Sequence, residues 1–173
     1  MSSRKVKREL DYTAVWASNV LTVTTTLNHN LVTGDAVRIK STNSPQDLQA
    51  SATVTSATVF TVQCSSDYAL FLTGTVSIDS FRAGATGRYV FIPQNSTGAG
   101  QIIQSFVTGT GTTTATLEGS LDNLHWVPAL GTLSNTATDG SSTVVAMTNK
   151  WTYLAVNISA IGASTKMEIM YTI

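Results

Sequence analysis

Ala115-Thr116-Leu117-Glu118-Gly119-Ser120-Leu121-Asp122-Asn123-Leu124-His125-Trp126 decides the fold class. Ala115, Leu117, Gly119 and Leu121 alternate with Thr116, Glu118 and Ser120, the period-two pattern of a strand with one dry face and one wet face. The alternation stops at Asp122-Asn123, two residues that tolerate positive φ, and Leu124, Trp126 and Val127 begin a return strand. The reading is a β-hairpin, with Asp122 and Asn123 as its turn and Trp126 as a structural anchor at its base. Burying a tryptophan removes about 150–250 Å² from water. At about 25 cal/mol/Å² that is an upper bound of roughly 4–6 kcal/mol.

The same period runs outward from this hairpin. On the C-terminal side, residues 89–92, 101–108, 131–138, 142–147, 151–158 and 166–173 read as short strands, with Asp139-Gly140 a strong hairpin signal. Leu154, Val156 and Ile158 face one way, and Trp151, Tyr153 and Ala155 the other. Seven or eight strands in about 90 residues with regular turn signals predict a jelly-roll or immunoglobulin-like β-sandwich over residues 88–173. On the N-terminal side, residues 12–16 read as an extended lead-in. Residues 19–27, 36–39, 52–54, 59–64 and 70–78 read as strands, which predicts a small β-barrel or sandwich module over residues 12–81. The small residues and two glycines at 82–87 read as a linker. No stretch holds a helical period, so the fold class is all-β.

Composition agrees with this. Charged residues are only 12% of the 173, about half the usual share, and the polar surface comes from 29 Thr and 19 Ser. β-Branched Thr suits a solvent-facing strand position. No apolar run approaches the roughly 20 residues of a membrane-spanning helix, and no apolar signal core follows the basic start. The net charge is zero but uneven: Arg4, Lys5, Lys7 and Arg8 are four of the ten basic residues. Residues 1–11 therefore read as a basic arm on a mildly acidic body, suited equally to nucleic acid or to an acidic protein surface, with a frayed, solvated terminus as the plainer alternative. Cys64, alone in an apolar strand, reads as a small core residue.

Chemistry is sparse. Two separated histidines, His29 and His125, and one cysteine cannot furnish a zinc tetrad, and Asp122-Asn123 lacks the acidic spacing of a calcium loop. No Gly-x-Ser-x-Gly elbow or phosphate-cradling glycine loop occurs. Glu118 and Asp122 read as an exposed strand residue and a turn-former rather than a glycosidase pair. No basic stripe interleaved with aromatics suits nucleic acid. The expectation is a protein without enzymatic activity, cofactor or metal. Trp151 and Tyr153, opposite the aliphatic face of their strand, read with the basic arm as protein-interface residues; a sugar-stacking platform that also includes Trp126 is the competing reading.

Two motifs carry a resemblance. His29, Leu31, Gly34, Asp35 and Val37 resemble a His-Gly-Leu then Gly-Asp-x-Val pattern of small β modules in tailed-bacteriophage virion proteins, with Asn28 and Asn30 where that pattern has glycine. The hairpin at 116–126, followed by Trp151-Thr-Tyr-Leu-Ala-Val-Asn-Ile158, resembles a sandwich module of phage structural proteins with a Ser-x-Asp-Gly-x-x-Trp turn. Asn123 stands where that turn prefers glycine. The resemblance implies a virion structural protein assembled in the host cytoplasm. A capsid decoration protein bound to the major capsid protein is preferred over a head–tail joining or tail component. It also implies a homo-oligomer, usually a symmetric trimer. A carbohydrate-binding module of a host-recognition fibre is the reading from another class.

Overall fold

The structure is a computed structural model that describes residues 3–65, 70–92, 101–135 and 140–172, and the regular structure among them is all strand. In chain order these are β1 (Ser3–Lys5), β2 (Arg8–Ala17), β3 (Val20–Thr25), β4 (Ala36–Ser41), β5 (Asp47–Ser51), β6 (Thr53–Val54), β7 (Val59–Gln63) and β8 (Thr73–Ile78). They continue with β9 (Phe81–Arg82), β10 (Gly87–Phe91), β11 (Ile102–Gly109), β12 (Thr113–Ser120), β13 (Val127–Thr132), β14 (Ser142–Ala146), β15 (Tyr153–Ile161) and β16 (Thr165–Thr172). Every pairing is antiparallel. Residues 136–138 and Asp139 of the Asp139-Gly140 signal lie outside the described residues.

The chain divides into two compact units, Lys7–Asp79 and Met1–Val6 with Ser80–Ile173. The first is one sheet in the order β5-β4-β8-β2-β3-β7-β6. Its two ends are a single run of chain: β5 pairs with β4, and after buried Ala52 the run continues as β6 and pairs with β7. The sheet thereby closes into a small barrel around Leu21, Val23, Ile39, Phe60, Val62 and Val76. The motif at 29–37 makes the closure. Gly34 N–H donates to the Ala52 carbonyl (2.8 Å) and Ala52 N–H to that of Asp35 (2.9 Å). Asp35 Oδ2 accepts from Val32 N–H at 2.9 Å. Asn30 and Gly34 hold φ of 53° and 97°, values that Asn and Gly adopt at least cost.

The second unit packs β1-β16-β11-β14, with β9 also on β16, against β10-β15-β12-β13. Ile103, Val107, Met167 and Ile169 from the first sheet meet Leu117, Leu154, Val156 and Ile158 from the second in one core. Phe91 and Tyr171 touch across it, ring centroids 4.6 Å apart.

Two expected boundaries are corrected. Residues 1–11 hold strands rather than a free arm: Ser3–Lys5 pairs with Thr172–Met170, and Arg8 opens β2 against Ile78. Val6, Arg8, Leu10 and Tyr12 are all buried, and the charge on Arg8 hides this alternation in the sequence. Its Nη2 donates to the His29 carbonyl. Residues 82–87 are likewise no linker. Phe81–Arg82 pairs with Met167–Lys166, Ala85 is buried in the sandwich core, and Gly87 starts β10.

Candidate functional site

The sandwich sheet β10-β15-β12-β13 has an inner face in the core and an outer face, and its register fixes which residues share the outer one. Arg88, Asn157 and Thr116 are directly opposite one another, as are Val90, Ala155 and Glu118, and Tyr153 stands opposite Ser120. Outward-facing strand residues are normally wet, yet Glu118 is 4% exposed. Burying a carboxylate is costly unless it is paired and hydrogen-bonded. Both conditions are met: Arg88 Nε donates to Oε2 at 2.6 Å and Asn157 Nδ2 to Oε1 at 2.9 Å. The Arg88 guanidinium also lies over the Trp126 ring, 5.1 Å from its centroid. One arginine thus joins a carboxylate on β12 to an indole beyond its end.

This corrects the reading of Trp126 as a core anchor. β12 ends at Ser120 and β13 begins only at Val127, so 121–126 form a long turn, and β13 carries a bulge with Ala129 at φ 57°. The half-buried indole lies on the outer face, against the Arg88 guanidinium. Glu118 is corrected too, from an exposed strand residue to a buried one. Asp122 and Asn123 do make the turn. Asn123 has φ 63°, Asp122 Oδ1 accepts from Leu124 and His125 N–H, both at 2.9 Å, and Ser120 Oγ accepts from Asn123 N–H at 2.9 Å.

Serine, aspartate and histidine meet here, but Ser120 Oγ donates to Asp122 Oδ1 (3.0 Å) while His125 Nδ1 meets Oδ2 (2.7 Å). The carboxylate lies between hydroxyl and imidazole, so the base does not engage the hydroxyl as it must in a nucleophilic triad. The contact holds the Asp122 carboxyl well below its usual range and lifts His125 above the ordinary imidazole value. Among the described residues no group of three His, Cys, Asp or Glu side chains converges as a metal site.

The other sequence-assigned residues disperse. Trp151 does not face outward: β15 begins at Tyr153, and the indole turns against Gly119, where any Cβ would strike its ring. Tyr153 is half-buried on the outer face beside the cluster. Arg4 is exposed on β1, Lys5 Nζ pairs with Glu168 at 3.2 Å, Arg8 is buried, and Lys7 lines a cleft of about 360 Å³ with Arg38, Ser77 and Asp79. Arg4 and Lys5 thus belong to the sandwich unit, and Lys7 and Arg8 to the barrel unit. Arg88 and Asn157 went unmarked in the sequence because only strand register brings residues 88, 118 and 157 together. Large apolar side chains are exposed on these elements: Val90 and Ile92 on or just after β10, and Leu121, Leu124 and Val127 around the turn, with Leu124 79% exposed.

No protein-family model and no curated protein matches the chain. Among solved structures it is similar to one titled as the structure of infectious bursal disease virus Gx strain, at 12% identity and a TM-score of 0.21. That alignment takes in 99% of this chain, which spans 57% of the length of the viral one.

Proposed function

We propose that this chain is a non-enzymatic structural component of a tailed-bacteriophage virion, and within that class a capsid decoration protein that binds the major capsid protein as a homo-oligomer. The sequence resemblance at 29–37 and 116–126 supports the class. The observation that carries the docking role is the exposed apolar set of the hairpin turn, Leu121, Leu124 and Val127. Exposed apolar patches mark interaction surfaces more often than they are left bare. In this reading the hairpin turn carries the contact rather than Arg4, Lys5, Lys7 and Arg8. A head–tail joining or tail position uses the same surface and differs only in the partner.

The test is co-sedimentation with undecorated phage heads. Leu121→Asp with Leu124→Asp, both exposed and outside the core, weakens binding at least tenfold with unchanged melting. Wild-type binding by this variant, or density for the protein on the tail in a cryo-EM map, overturns the decoration reading. A carbohydrate-binding role is favoured by a separate observation, the polar and aromatic cluster around Glu118.

A further inference from the structure

We infer that the outer face of β10-β15-β12-β13, centred on Arg88, Glu118, Asn157, Trp126 and Tyr153, is a binding site for a neutral glycan. The inference extends the carbohydrate reading and stands apart from any position in a virion.

Three observations select that ligand class. First, the cluster is preorganised. Glu118 is buried and held by two partners at 2.6 and 2.9 Å, so Arg88 and Asn157 are fixed before a ligand arrives, and fixed donors save the ordering cost of binding. Second, its hydrogen-bonding capacity is unspent where it faces water. Arg88 uses Nε on Glu118, and its side chain remains 44% exposed with two further nitrogens. Asn157 spends one amide hydrogen on Glu118, which leaves its carbonyl oxygen as an acceptor. Sugar hydroxyls both donate and accept, and match that mixture.

Third, the site is charge-compensated and aromatic. The guanidinium is neutralised by its own carboxylate, so an anionic or cationic ligand gains little. Half-buried Tyr153 offers apolar ring surface for the C–H face of a pyranose, beside the Trp126 ring that the Arg88 guanidinium covers on one side. The layer is continuous enough that outward-facing Ala155, between Asn157 and Tyr153 on β15, is fully buried. A protein partner at the same place would centre on the apolar residues of the turn, whereas these polar groups lie inward from it on the sheet.

The intact chain is applied to a printed array of neutral, uronic-acid and sialylated glycans, and hits are titrated by tryptophan fluorescence. Saturable binding to neutral glycans is expected, weakened at least tenfold by Tyr153→Ala and by Asn157→Ala. Leu121→Asp with Leu124→Asp leaves glycan binding unchanged, which separates this site from capsid docking. Thermal melts of each variant identify any loss of folding; should Tyr153→Ala unfold, the milder Tyr153→Leu, which keeps bulk but no aromatic face, replaces it. The inference is overturned if no neutral glycan on the array binds, if acidic glycans bind better, or if folded Asn157→Ala and the Tyr153 variant bind like the wild type.

Discussion

Glu118 sets the energetics of the outer face, because its carboxylate depends on Arg88 and Asn157 for what water would otherwise supply. Arg88→Ala leaves it with one partner and costs about 1–3 kcal/mol by denaturant unfolding, the range for a hydrogen bond to a charged group. Trp126→Ala loses a cation–π contact at a half-exposed site and costs about 1 kcal/mol, well short of the roughly 3–5 kcal/mol expected of a core tryptophan. Measuring both separates the outer-face role from the core-anchor role. Two histidines respond to pH in opposite senses. Burial of His29 lowers its pKa from 6.5. The unfolded chain then takes the proton more readily, so barrel stability is full above 6.5 and falls as pH drops toward the lowered value. His125 is raised by Asp122, so its contribution is present below 6.5 and disappears as pH rises through the raised value. Melting between pH 5 and 8 checks both: His29→Gln removes the acid-side loss, and Asp122→Asn returns the His125 titration, followed by NMR, toward 6.5.

At the scale of elements, the sequence made most strands legible, and the failures have identifiable causes. Period two is visible where one face is uniformly apolar, as in β16, whose Met167, Ile169 and Tyr171 are all buried. It is invisible in β2, where Arg8 holds an inward position, and in β9, which is too short to show a period. The hairpin was legible as a hairpin because Asp122 and Asn123 announce the turn locally. The facing of Trp126 was not, since it sits in a six-residue turn, longer than the two-residue Asp122-Asn123 signal, where no strand period sets its direction. Nor was the Arg88, Glu118 and Asn157 cluster, which exists only through pairing across three strands. Glycines mark close approaches that packing alone decides. At Gly74 an added Cβ would meet the Lys40 backbone, and at Gly119 the Trp151 ring. An ordinary Gly→Ala replacement stabilises by about 0.4–1 kcal/mol, whereas Gly74→Ala destabilises the barrel by more than that in a thermal melt, because its Cβ meets backbone. Gly119→Val displaces the Trp151 indole, seen as a shift in its fluorescence.

At the scale of the molecule, the sandwich is interrupted by the barrel. Lys5 pairs with Met170, Val6 N–H reaches the Ile169 carbonyl at 2.8 Å, and Phe81 pairs with Met167. In that register Ser80 takes the place along β16 that would follow Val6. β1 and β9 are thus the two ends of one edge strand, opened to admit residues 7–79. Joining Val6 directly to Ser80 preserves the register, so the shortened chain folds to a sandwich with cooperative melting and strand-type circular dichroism. Residues 7–79 expressed alone fold as the barrel, with a slowly exchanging core at Leu21, Val23 and Phe60. An unfolded product in either case contradicts the insertion reading.

The pairing of Ser3 with Thr172 also orders events during synthesis. β1 receives its partner only once residues 165–172 have left the ribosome. The barrel's sequence, residues 7–79, is complete well before that and can fold while β1 is still unpaired. Closure of the sandwich therefore follows the point at which the barrel can fold, and its earliest moment is set by when β16 emerges.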